Sequence, residues 1–155
     1  MPTEKSQALK KQVLSRLEEI LGSPVRSSSR SFVLKYGDKR VFVRVTTKKA
    51  GSKFWFDVTP NLYLNHETDF LIYACGSTQD LYVFPVDIFI QFIKGASKGG
   101  FHAVPNFTIF LNSHEFEPAG RSKNRYEIKQ YYNSFELIKP DLAQPAVSEL
   151  LSLVE

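Results

Sequence analysis

The apolar residues of this chain occur in short segments separated by polar or glycine-containing turns, and this spacing constrains the fold more than any other feature. Strand-like segments of four to six residues occupy positions 32–36, 40–45, 54–58, 70–75, 81–84 and 107–111. The pattern also predicts a polar connection over 113–125 and short strands at 126–130 and 135–138. Many short strands with few helices favour a barrel or a sandwich that has helices at its ends.

Helical spacing is confined to a few places along the chain. Over residues 4–21 apolar side chains recur every three or four positions, and Gly22 predicts the end of this N-terminal helix. A second helix is expected to begin at Pro85, which suits a first helical turn, and to end at Gly95. A third, short helix is predicted over 60–67.

One of the strand-like segments alternates strictly between two kinds of side chain. Since successive residues of a strand point to opposite faces, the alternation predicts one apolar face and one face that carries two arginines. The two sets are Val41, Val43 and Val45 against Arg40, Phe42 and Arg44.

Charge is segregated along the chain, although the formal net charge is a modest +4. Positions 54–93 contain no basic residue, and their acids are Asp57, Glu67, Asp69, Asp80 and Asp87. Positions 26–53 contain a single acid, Asp38, and these basic residues: Arg26, Arg30, Lys35, Lys39, Arg40, Arg44, Lys48, Lys49 and Lys53. A globule with this distribution can present one positive face to a partner while staying near neutral overall.

Length and composition indicate a single folded domain, because 155 residues with 43% hydrophobic content can bury a substantial core. We expect an N-terminal helix over 1–24, a β-rich domain over 25–139, and a linker or docking tail toward a further domain over 140–155. No apolar run approaches the roughly 20 residues that span a bilayer. The single cysteine, Cys75, lies in an apolar strand, which predicts a buried thiol and a reducing, cytoplasmic location.

The sequence offers few groups that could carry catalysis. The three histidines, His66, His102 and His114, have no ligand-like spacing to one another or to Cys75. No phosphate-binding loop and no nucleophile motif stands out. We therefore predict no catalytic residue, no metal site and no cofactor in this chain.

Glu127-Ile-Lys129 leaves one catalytic alternative open. If these residues lie on a strand, the carboxylate and the ammonium share a face. In small Mg²⁺-dependent nucleases of the PD-(D/E)xK type, that arrangement lets the acid hold the metal while the lysine steadies the attacking water. An upstream acid would also be needed, and the candidates are Glu115, Glu117 and Asp87. An ordinary ion pair on a strand explains the same pattern.

Basic loops beside glycines fit nucleic acid better, because lysine and arginine neutralise phosphates and arginine, asparagine and glutamine read base edges. Trp55 is a candidate for base stacking, whereas its neighbours Phe54 and Phe56 are expected in the core. A solvated basic surface, an RNA-binding module and a protein-interaction module remain alternatives. The predicted DNA-contacting residues are Arg30, Arg44, Thr47, Lys48, Lys49, Ser52, Lys53, Trp55, Lys94, Lys98, His102, Arg121, Lys123, Asn124 and Arg125.

The order of several short motifs resembles recognition modules attached to restriction endonucleases, over roughly residues 30–138. The motifs are Arg44-Val-Thr-Thr-Lys-Lys, Lys53-Phe-Trp-Phe-Asp, Phe70-Leu-Ile-Tyr-Ala-Cys-Gly, Leu81-Tyr-Val-Phe-Pro and Tyr131-Tyr-Asn-Ser-Phe-Glu-Leu-Ile138. Such modules are similar to the B-three domains of plant transcription factors, which hold duplex DNA by its major groove between two arms. The N-terminal helix and the absence of a late tryptophan depart from that pattern.

The resemblance implies a mainly β (α+β) fold, a seven-stranded open pseudobarrel with helices at its ends, and sequence-specific recognition of double-stranded DNA. By position, the N-terminal arm would be Arg44 to Lys53. The C-terminal arm would be Lys94 to His102, with Arg121 to Arg125 as the competing assignment. Cleavage would belong to a nuclease domain in the same or a partner chain, so the chain itself is expected not to be an enzyme and not to contact a membrane.

Overall fold

The computed structural model of the protein describes residues 4–22, 26–27, 33–36, 38–47, 49–57, 68–94, 106–118 and 125–140. Three of its strands have two residues each, and seven have four or more. The elements are α1 (Glu4–Leu21), β1 (Arg26–Ser27), β2 (Val33–Tyr36), β3 (Lys39–Thr46), β4 (Lys49–Ala50), β5 (Lys53–Asp57), β6 (Phe70–Cys75), β7 (Leu81–Pro85), α2 (Val86–Lys94), β8 (Asn106–Phe110), β9 (Glu115–Pro118), β10 (Tyr126–Glu127) and 3-10 helices at Lys129–Tyr131 and Phe135–Leu137.

The strands form two sheets of five strands each. In the first sheet the order is β1-β2-β3-β6-β7, and the β3–β6 pair is parallel while the other pairs are antiparallel. In the second sheet the order is β10-β9-β8-β5-β4, and every pair is antiparallel. Neither sheet closes into a barrel within the described residues. The fold is mixed α/β with strands predominating, and both predicted hairpins of the first sheet are confirmed.

Helix α1 covers one face of the first sheet. Its residues Leu9, Val13, Leu17 and Leu21 are buried at a spacing of four, which places them on one side of the helix. They pack against the valine face of β3 and against apolar residues of β6 and β7. The helix ends as predicted at Gly22, which has a positive φ of 72° and donates its N–H to the Glu18 carbonyl.

An aromatic core fills the space between the first sheet, the second sheet and α2. It includes Phe42, Phe54, Phe56, Tyr73, Tyr82, Phe84, Phe89, Phe107 and Phe116. Phe42 belongs to the face of β3 that carries the arginines, and it is 4% exposed. The middle of that face is therefore covered by the second sheet, and Arg40 and Arg44 lie half-buried at either side of Phe42.

The sequence-based prediction is wrong for three segments near the C-terminal end of the described chain. The predicted polar connection contains strand β9, in which the buried Phe116 and Pro118 alternate with Glu115 and Glu117. The strand expected at 126–130 stops after Glu127 and gives way to a 3-10 helix. The segment expected as a strand over 135–138 contains the 3-10 helix Phe135–Leu137 instead: Phe135 and Ile138 are three residues apart, which is one turn, and both face the core.

Two further predictions concern a short helix and membrane-spanning segments. The helix expected over 60–67 lies outside the described residues. None of the helices in the described part of the chain is long and apolar enough to cross a membrane.

Candidate nucleic-acid interface

Strands β4 and β5 form a short hairpin at the edge of the second sheet. Ala50 pairs with Lys53 in the antiparallel register, so the connecting loop has two residues, Gly51 and Ser52. Such a loop requires a positive φ, and Gly51 meets this need with φ 64°. The tip is held to the end of β8 because Leu111, the residue after that strand, donates its N–H to the Ser52 carbonyl at 2.9 Å. The predicted basic loop is therefore a two-stranded ribbon in its C-terminal part.

Trp55 lies on the outer face of the second sheet, the face turned away from the aromatic core. Phe54 and Phe56 on either side are 4% and 3% exposed, as predicted, whereas Trp55 is 45% exposed. It is the one exposed large hydrophobic side chain of the described residues. Its partner in the β5–β8 register is Thr108, so a small polar residue stands beside the indole. The alternation of the strand thus settles that Trp55 is a surface residue.

Lys53 and Arg125 meet over one ring on this outer face. The Lys53 Nζ lies 5.5 Å from the centroid of the Phe110 ring, and the Arg125 guanidinium lies 4.1 Å from it. Both distances are within the range of a cation–π contact. The two cations cover Phe110, which is 9% exposed although it lies on the outer side of β8. The fold therefore brings together two predicted contact residues that are distant in the sequence.

Arg125 also forms ion pairs with two carboxylates of β9. Its Nη1 lies 3.6 Å from Glu115 Oε1, and its Nε lies 3.4 Å from Glu117 Oε2. All three side chains are partly exposed, so solvent screens these pairs and each contributes little to stability. The pairs nevertheless orient the guanidinium and offset its charge. Arg125 is thus engaged by the protein itself, whereas no carboxylate is paired with Lys53 among the described residues.

Arg44 lies near the end of β3, and Thr47 is the first residue after that strand. Both side chains are half-buried. Burial lowers the pKa of Lys10 on α1, and the charge of Arg44 lowers it further. Arg44 is therefore close enough to α1 for the two cations to repel each other. A nearby anion would relieve that repulsion.

For the other predicted contact residues, the structure does not describe the side chains. For Lys49 and Lys94 the structure describes the backbone, in β4 and at the end of α2. The remaining ones lie outside the described residues: Arg30, Lys48, Lys98, His102, Arg121, Lys123 and Asn124.

The geometry assumed for the nuclease alternative is wrong. Glu127 ends β10, and Ile128 has φ −124° and ψ 16°, so the chain leaves the extended conformation between the acid and the lysine. Lys129 then opens a 3-10 helix, and the two charged side chains do not share a strand face. Among the described residues there is no group of three histidine, cysteine or acidic side chains that could hold a metal ion.

A hydrogen-bonded polar cluster at the end of the first sheet has no counterpart in the sequence-based prediction. The Tyr82 hydroxyl lies 2.7 Å from His114 Nδ1, and the Tyr132 hydroxyl donates to Asp80 Oδ1 at 2.6 Å. Asp80 also accepts a hydrogen bond from Ser77 at 2.9 Å. Burial raises the pKa of Tyr82, whose side chain is fully enclosed. The Tyr82–His114 and Tyr132–Asp80 contacts join residues that are 32 and 52 positions apart, so no local pattern in the sequence predicted them.

Tyr132 should resist ionisation, and this has a measurable consequence for stability. The hydrogen bond to Asp80, followed by burial, raises the pKa of Tyr132 from 10.0 to about 12. The folded state keeps the proton where the unfolded chain loses it, so this contribution is complete below pH 10.0 and is lost as the pH rises toward about 12. We expect the difference in tyrosinate absorbance between the native protein and Tyr132→Phe to show this late titration. Asp80→Asn should move it to lower pH, and a Tyr132 titration at or below pH 10.0 in the native protein would contradict the assignment.

Comparison with protein-family models, with curated proteins and with solved structures finds no match for this chain.

Proposed function

We propose that this chain binds double-stranded DNA in a sequence-specific manner and serves as the target-recognition module of a restriction endonuclease. In this proposal the module grips the major groove with two basic arms, and a nuclease domain in the same or a partner chain performs the cleavage. An open pseudobarrel of the B-three type is part of the same proposal. The observation that carries it is the exposed Trp55 beside Lys53 on the β4–β5 hairpin.

The shape of this hairpin supports the proposed mode of binding. The major groove of DNA is wide enough to admit a two-stranded β ribbon. Ser52, Lys53 and Trp55 lie within four residues of one another at such a ribbon, and Arg44 and Thr47 precede it in the chain. A tryptophan side chain has only two rotatable torsions, so ordering its large ring against DNA costs little conformational entropy.

Electrostatics support the N-terminal arm as the main contact. Arg44 and Lys48 precede the ribbon in the chain, and Lys49 and Lys53 belong to it. Neutralising phosphates with lysine and arginine supplies affinity through counterion release. The Arg125 guanidinium is already paired with Glu115 and Glu117, which favours Lys94 to His102 as the second arm over Arg121 to Arg125.

The proposal can be tested with a duplex selected from a randomised pool at fixed salt concentration. Trp55→Ala should weaken binding about 5- to 30-fold, because truncating a tryptophan packed in an interface costs about 1–2 kcal/mol. Lys53→Ala should lower the slope of affinity against salt by about one counterion. Since Trp55 is the single tryptophan of the chain, its fluorescence should change when the duplex is added. The purified chain should leave the duplex uncut in the presence of Mg²⁺.

A matched control is available on the opposite side of the molecule. Lys5 is exposed on α1, which covers the first sheet and lies away from the outer face of the second. Lys5→Ala should therefore leave both the affinity and the salt slope unchanged. Undiminished binding in Trp55→Ala together with an unaltered salt slope in Lys53→Ala would refute the proposal. Stronger binding to duplex RNA than to duplex DNA would refute it as well.

A further inference from the structure

The outer face of strand β8 extends beyond the cations that cover Phe110. Since residues two apart on a strand share a face, Asn106, Thr108 and Phe110 all lie on the outer side of the second sheet. Two cations cover Phe110, whereas Asn106 is exposed at the other end of the strand. This face is therefore cationic at one end and carries an exposed, uncharged amide at the other.

Asn106 is a diagonal neighbour of Trp55 on this face. Trp55 is paired with Thr108 in the β5–β8 register, and Asn106 is two residues from Thr108 on the same strand. Diagonal neighbours on adjacent strands are roughly 7–8 Å apart, a distance that long and aromatic side chains can bridge. DNA that contacts the indole of Trp55 is therefore also within reach of the Asn106 amide.

The side-chain amide of Asn106 is available for a ligand. None of the side chains that the structure describes forms a hydrogen bond with it. An asparagine amide carries an N–H₂ donor next to a carbonyl acceptor. A ligand that presents one acceptor and one donor side by side can therefore satisfy both groups at once.

The chemistry of the amide favours a base over a phosphate. A phosphate presents only acceptors, so it leaves the carbonyl oxygen of the amide without a donor. In the major groove, adenine presents the N6 amino donor beside the N7 acceptor, whereas guanine presents two acceptors. We propose that Asn106 is a specificity-determining residue that reads one adenine through N6 and N7. The inference rests on the proposed function and adds a base-reading residue to it.

This assignment divides the outer face between affinity and specificity. Contacts to phosphates position a protein on duplex DNA, whereas contacts to base edges carry the sequence information. Lys53 at the cationic end suits the first task, and the uncharged Asn106 suits the second. Loss of Lys53 should therefore weaken binding to every sequence alike, whereas loss of Asn106 should act at a single base pair.

Selection from a randomised duplex pool at fixed salt concentration tests the inference, with the native chain and Asn106→Ala compared. The native chain should select adenine at one position where the variant accepts any base, and the other positions should keep their preference. On the duplex selected by the native chain, the variant should bind about 5- to 150-fold more weakly, the range expected for loss of one bidentate base contact.

A duplex with 7-deazaadenine at the selected position separates a direct contact from an effect on folding. This base lacks the N7 acceptor, so it should weaken binding by the native chain. The affinity of Asn106→Ala should be the same for adenine and for 7-deazaadenine, because the variant has no amide to lose its partner. Equal losses in the native chain and in the variant would overturn the inference.

Gln7→Ala is a matched control, because it removes an exposed carboxamide from α1, which covers the first sheet. It should keep the affinity and the base preference of the native chain. An unchanged adenine preference in Asn106→Ala, or a uniform weakening at all positions, would overturn this inference alone. So would relaxation at a position where the native chain selects a base other than adenine. If the native chain showed no sequence preference, the proposed function and this inference would fail together.

Discussion

Replacing Phe107 by alanine is expected to lower the free energy of unfolding by about 3–5 kcal/mol, the usual cost of truncating a buried phenylalanine. Phe107 is 1% exposed and lies in the aromatic core where the first sheet, the second sheet and α2 meet. Its ring stacks on Phe116 of the second sheet at 4.5 Å and meets Tyr73 of the first sheet edge-on at 4.9 Å. Phe89 of α2 lies 5.6 Å away. No single neighbour can move to fill the space, because each is held by a different element.

The prediction is checked by chemical denaturation of the native protein and of two matched variants. Thr108→Ala changes the next residue of the same strand, whose side chain points to the outer face, and should shift stability by less than about 0.5 kcal/mol. Phe107→Leu keeps most of the volume and should cost clearly less than Phe107→Ala. If Phe107→Ala and Thr108→Ala had the same effect, the two sheets would not be packed around this ring.

Gly76→Ala is expected to have the second-largest effect, about 2–5 kcal/mol, from two sources that add. Gly76 has a φ of 75°, where an alanine is strained by about 1–2 kcal/mol. A Cβ at this position would also lie 2.9 Å from Cε1 of Phe54, closer than real side chains approach. The ring of Phe54 is 4% exposed, so the core prevents it from moving aside, and overpacking of this kind costs about 1–3 kcal/mol.

Gly51→Ala is a matched control, because it separates backbone strain from steric overlap. Gly51 has a similar φ of 64°, but a Cβ there would have no neighbour within 4 Å. Its substitution should therefore cost about 1–2 kcal/mol, from strain alone. Thermal unfolding of the two variants measures the difference. Equal losses in both would mean that Phe54 yields to the added methyl group.

The elements that could be predicted from the sequence are those in which near neighbours decide the conformation. Helix α1 was predicted with its observed bounds, because the apolar spacing and Gly22 both lie within the segment itself. The two hairpins of the first sheet were predicted for the same reason, since alternation and turn residues act over a few positions. The same alternation predicted which residues of β5 face the core, and Phe54 and Phe56 are buried there.

The candidate interface could be predicted only in part. The β4–β5 hairpin lies where the sequence predicts a basic loop with a glycine near its tip, because glycine and basic residues mark a turn that faces solvent. The ion pairs of Arg125 could not be predicted, since its two carboxylate partners come from a strand that the sequence pattern did not reveal. The fold, and not the charge of the residue, makes it a weaker candidate than Lys53.

By itself, the sequence determined the β-rich class, the N-terminal helix, the local hairpins and the buried position of Cys75. Tertiary structure alone decided that β9 is a strand, that 135–137 is a 3-10 helix, and that Tyr82 meets His114. The physical reason is that side-chain packing between distant segments decides these features. Strand β9 is joined to β8 by a short turn, but its glutamates give no strand pattern, and burial of Phe116 among rings from both sheets stabilises it. The segment 135–137 likewise depends on burial of Phe135, and Tyr82 lies 32 residues before His114.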